Sequence, residues 1–75
     1  MTLQAILGQV PFEGKLTISV WSADWEEELV RESREVDRWH DIGVFSAEVL
    51  KHRLAPVKGV FTLGSEIVIE CKERK

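Results

Sequence analysis

A chain of 75 residues with 44% hydrophobic and 31% charged content has the composition of an ordinary folded domain, far from the regime of disorder, and its length supports one small core. Its formal net charge of -3 excludes a broad electrostatic attraction to nucleic acid, leaving only a local basic patch as a route to that partner. The single cysteine, Cys71, excludes an intrachain disulfide; with no basic start or long apolar run in residues 1–9 and no stretch near the ~18 apolar residues of a membrane span, a reducing, cytoplasmic setting without leader or membrane is expected.

Residues 2–10 read as a short helix: Thr2 can cap its start, and Leu3, Ile6, Leu7 and Val10 recur at spacings of three and four. Gly8 to Pro11 ends it. Residues 15–22 then alternate as a strand, with Leu16, Ile18 and Val20 on one face and Thr17, Ser19 and Trp21 on the other.

Residues 24–41 admit two readings. A helix places Trp25, Leu29, Val36 and Trp39 in one stripe, with Asp24 as N-cap, Glu27 at the capping-box position and Gly43 beyond the end. That helix also puts Glu32 inside the stripe, puts Val30 outside it, and leaves the first strand without a hairpin neighbour. A strand over residues 28–36 supplies the neighbour across a turn at 22–26, although its alternation is poor.

Ser46 can cap a helix of about two turns with Ala47, Leu50 and Leu54 on one side, and Pro56 cannot continue it. Residues 57–63 and 66–72 form a hairpin around Gly64-Ser65, whose leading glycine suits a type II′ turn. That register opposes Thr62 with Ile67, Phe61 with Val68 and Val60 with Ile69. Ile67, Ile69 and Cys71 then share a core face with Val60 and Thr62.

The order short helix, KLTISVWS, polar middle, SAEVLKHRLAPVKGVF and GSEIVIECKE resembles small uncharacterised proteins encoded in phages and prophages of Gram-positive bacteria. The resemblance implies a second strand in the middle segment, giving the order helix, strand, strand, helix, strand, strand. From residues and resemblance together the expected class is a single α+β domain over 1–75, with short helices packed on an antiparallel sheet that ends in a hairpin.

The chemistry-bearing residues are sparse. His40, Asp41, His52 and Cys71 are the candidate metal ligands, but no close pair of the CxxC, HxxxH or HExxH kind is present, so no metal is expected. Cys71 falls on the core face of a strand, where a thiol behaves as a small hydrophobe, while Ser22, Ser46 and Ser65 fall at turns and caps. The carboxylates of Glu26, Glu28, Glu32 and Glu35 lack the cleft that acid and base catalysis requires. No isolated glycine forms a phosphate loop, so neither enzymatic activity nor a cofactor is expected.

Binding remains. The leading expectation is a phage or prophage accessory protein that contacts a protein partner or a second copy of itself through the sheet face opposite the helices, where Trp21, Phe61, Leu63 and Val68 gather. The alternative is a nucleic-acid-binding module using Lys51, Arg53 and Lys58 with Phe61 as a stacking residue. A third reading uses the acidic cluster Asp24, Glu26, Glu27 and Glu28 to imitate DNA, against which Arg31, Arg34 and Arg38 interrupt the acidic row.

Overall fold

The structure is a computed structural model, and it describes residues 1–9, 12–37 and 42–73. Helix α1 (Leu3–Gln9) starts at Thr2, whose Oγ1 accepts the N–H of Ala5 at 3.2 Å, and it buries Leu3, Ile6 and Leu7. Val10, the fourth residue of the expected helical stripe, lies outside the described residues. Strands β1 (Gly14–Trp21), β2 (Glu28–Val36), β3 (Val57–Leu63) and β4 (Glu66–Lys72) form one sheet in the order β2-β1-β4-β3. A 3₁₀ turn (Ile42–Val44) and helix α2 (Ala47–Lys51) connect β2 to β3. The class is α+β with a C-terminal hairpin.

The strand reading of the middle segment is the one realised, over Glu28–Val36. Asp24 caps no helix: its Oδ1 accepts the N–H of Glu26 at 3.0 Å inside the β1–β2 turn. Trp25 and Leu29, expected in a buried stripe, are exposed, and Val36 is buried as the inward residue at the end of β2. Trp39 lies outside the described residues. Tertiary pairing overrides the local helical pattern here because β1 otherwise has a bare edge beside its most apolar run.

The antiparallel expectation holds for β1–β2 and β3–β4, but the central β1–β4 pair is parallel. The cause is the connection. From β2 at one edge the chain passes through α2 to β3 at the other edge, and the hairpin then lays β4 along β1 in the same direction. The parallel register sets Leu16 beside Ile67, Ile18 beside Ile69 and Val20 beside Cys71, which points three apolar pairs at the helices. A slip by one residue would turn all of them to the opposite face, so burial fixes this register.

Those residues join Leu3, Ile6, Leu7, Phe12, Phe45, Val49 and Ala55 in one core. Helix α2 is anchored by Val49 rather than by the expected side of Ala47, Leu50 and Leu54. Ala47 and Leu54 are exposed, because the helix closes after five residues and Leu54 falls in the turn beyond it. Ser46 is the N-cap residue but makes no side-chain cap; its hydroxyl donates to Glu32, whose second oxygen accepts the Ser46 N–H at 3.1 Å. Glu32 is on the helix-facing side of β2, between Val30 and Arg34. A carboxylate in that row is thereby accounted for by the helix start above it.

The hairpin register is the expected one, pairing Phe61 with Val68, Thr62 with Ile67 and Val60 with Ile69. Gly64 has φ 65° while Ser65 is not at positive φ, as a type II′ turn requires and a type I′ turn does not.

Candidate contact surface

The four strands turn their other residues to the face opposite the helices, and no described element lies over that face. In the centre sit Thr17 and Ser19, both fully buried although neither belongs to the core. They are covered by their neighbours' side chains. Thr17 donates to Glu66 and is joined by Ser33 Oγ at 2.6 Å, and Ser19 donates to Glu28. The central strip is therefore polar and internally satisfied, which leaves the two ends of the face to supply apolar contact.

At one end, register places Phe61 beside Val68 and Leu63 beside Glu66, with Val68 beside Thr17. Val68 is almost fully buried yet stands outside the core, so it forms the floor of this corner. Phe61 and Leu63 remain 45% and 59% exposed, and Val60, pointing the other way from the same strand, is also 45% exposed. β3 is thus an edge strand with large apolar side chains uncovered on both sides. Val60 and Thr62 do face the helix side as expected, but at the sheet edge the helices do not reach them.

Trp21 is not part of that corner. It lies beside Lys72, four residues along β1 from Thr17, roughly 13 Å from the Phe61 end. Its ring centroid is 6.3 Å from that of Trp25, over which Lys72 Nζ sits at 5.7 Å. The indole N–H of Trp21 is buried without a hydrogen-bond partner. Trp25 has φ 66°, a left-handed conformation costing about 1 kcal/mol or more for a non-glycine residue. The turn holds it there through the Trp25 N–H on the Ser22 carbonyl at 3.0 Å and the Glu26 and Glu27 N–H groups on Ser22 Oγ, both at 3.2 Å. Of the four residues expected to gather, Phe61, Leu63 and Val68 do.

Lys51 and Arg53, two of the basic residues named for nucleic acid, are not assembled with the aromatic. Lys51 reaches Glu48 at 3.8 Å at the end of α2, Arg53 donates to the Leu50 carbonyl at 3.1 Å, and Lys58 falls at the irregularity in β3. Phe61 points to the other side of the sheet from α2. Lys51 and His52 share an open pocket of about 280 Å³ with Leu54, Ala55 and Glu73. Of the acidic row, Glu28 is met by Arg31 at 3.2 Å, whereas Arg34 turns to Glu32, outside the row, at 2.8 Å; Arg38 lies outside the described residues.

Asp24 is held below the ordinary carboxylate range by the Ser22 hydroxyl and then by the Glu26 N–H. Desolvation pushes Glu32 up, but the Ser46 hydroxyl, Arg34 and the Ser46 N–H outweigh it and hold the carboxyl below its ordinary value of 4.5. Burial, with a smaller effect from Glu70, pushes the Cys71 thiol up to about 12. That thiol is no nucleophile at neutral pH. Among the described residues no three His, Cys, Asp or Glu side chains are grouped to hold a metal; His40 and Asp41 lie outside them. No described helix is long and apolar enough to cross a membrane.

The polar interior of the face and the two apolar ends were both within reach of strand alternation. The Glu32 support of α2 and the left-handed Trp25 were not, since each depends on which elements meet in space. Comparison with protein-family models, curated proteins and solved structures gives no significant match.

Proposed function

We propose that this chain is a non-enzymatic accessory protein of the phage or prophage kind, cytoplasmic in setting, that works by protein contact and in the first place by self-association. The observation that carries the reading is the uncovered apolar strand at the sheet edge, where Val60, Phe61 and Leu63 all stay exposed within one seven-residue strand. Exposed apolar edges are hazards that folded proteins blunt with charge, proline or a covering element, and residues 59–63 carry neither charge nor proline. A contact partner resolves that hazard. It also supplements a core that is small at this length.

Sedimentation of the wild type over a range of micromolar concentrations, beside Leu63→Lys, tests this. The wild type is expected to associate, and the variant to remain a monomer with unchanged circular dichroism. A wild type that stays monomeric throughout that range overturns self-association.

A further inference from the structure

The edge that carries those side chains has a definite free length, and its ends are set by the fold. At its beginning the edge is already occupied: Val57 donates its N–H to the Met1 carbonyl at 2.8 Å, and Thr2 bridges Pro56. The β3–β4 ladder is irregular between Val57 and Gly59, which leaves Lys58 unpaired. At its end Gly64 turns the chain back. What remains is the regular stretch from Gly59 to Leu63.

Backbone direction within that stretch follows from the hairpin. Across a two-residue turn the flanking pair, Leu63 and Glu66, exchanges hydrogen bonds, so Phe61 and Gly59 also turn their N–H and C=O toward β4. Val60 and Thr62 turn theirs outward, into the sheet edge. Resting on the self-association reading above, we infer that a second copy of this chain pairs with this edge as an antiparallel strand, with Phe61 on the two-fold axis.

The register follows from two independent features. Centring on Phe61 sets Val60 opposite Thr62 of the second copy, so the outward groups of both residues are satisfied from each side. It sets Leu63 opposite Gly59 of the second copy, where no atom lies within 4 Å of the position a Cβ would take, so a large side chain meets open space. Moving the centre to Val60 would drive Leu63 of the second copy opposite Val57, the place Met1 already holds. Moving it to Thr62 would pair Gly59 with the turn residue Ser65 and forfeit most of the strand. The two sheets then join into a continuous one, and the two Phe61 rings meet as a non-hydrogen-bonded cross-strand pair on the helix-free face.

Thr62→Pro separates edge pairing from packing of faces. Within one chain the Thr62 N–H serves no strand neighbour, so proline is tolerated at the edge, whereas in the pair it deletes two symmetry-related hydrogen bonds and obstructs approach. The dissociation constant should rise at least ~10-fold by sedimentation, with circular dichroism unchanged. In parallel, Phe61→Cys under oxidised glutathione should form a disulfide-linked dimer faster than Leu63→Cys, since only position 61 meets itself. If the wild type does not associate, the self-association reading fails and this inference with it. If the wild type associates while Thr62→Pro associates equally and Phe61→Cys gains nothing over Leu63→Cys, edge pairing is wrong and the broader reading stands. Should Thr62→Pro fail to fold, the order of the two cysteine variants alone decides.

Discussion

Glu32 on β2 accepts the backbone N–H of Ser46 at 3.1 Å, so the edge strand of the sheet holds the start of the helix that crosses it. Its side chain is 16% exposed, and Arg34 at 2.8 Å supports the charged form. Glu32→Gln should therefore destabilise the protein by about 1.5–3 kcal/mol at pH 7, the range for a hydrogen bond to a charged group.

The pH dependence follows from the same group. Its folded-state value lies below the ordinary 4.5, so its contribution is fully present above about that pH and is lost as pH falls through the depressed value. Denaturant melts of wild type and Glu32→Gln should separate above about pH 5 and converge as the pH falls through the depressed folded-state value of Glu32. A difference that stays constant with pH would show that the carboxylate charge is not what holds Ser46.

The hairpin turn gives a sharper contrast. Gly64→Val forces a β-branched residue to positive φ and should cost about 1–2 kcal/mol or more, while Ser65→Ala should stay within about 0.5 kcal/mol. Thermal melts of the two variants should differ by several degrees. Equal shifts would mean that the glycine conformation is not required.

Much of this architecture was legible in the residues themselves. The alternation of Leu16, Ile18 and Val20, the Thr2 cap and the Gly64 turn each follow from local rules, and the β3–β4 register came with the turn. The middle segment was not legible, because the helical spacing of Trp25, Leu29 and Val36 competes with the need of β1 for a neighbour, and only pairing in space decides between them. The parallel centre of the sheet was equally hidden, since it depends on which side the α2 connection crosses. For the contact surface, alternation put Trp21 on the correct face but carried no information on distance along it.

Cys71 should be silent toward thiol reagents in the folded protein. It is fully buried, with its thiol pushed up to about 12. Colorimetric titration should find no fast-reacting thiol at pH 8 and one per chain in denaturant. Rapid labelling without denaturant would show that the strand it occupies opens readily.

Trp21→Asp should lower the melting temperature, because a ring packed beside Trp25 is removed, yet leave self-association intact. The β3 edge lies beyond β4 from this residue. Sedimentation showing Trp21→Asp to be monomeric, with its circular dichroism retained, would move the contact surface to the tryptophan end of the face.

Residue-resolved amide hydrogen exchange, run well below and well above the association range, tests edge pairing most directly. Gly59, Phe61 and Leu63 hydrogen-bond within the chain and should be protected at both concentrations, whereas Val60 and Thr62 should exchange freely when dilute and become protected when concentrated. Val60 and Thr62 amides that exchange equally fast at both concentrations would contradict edge pairing through β3.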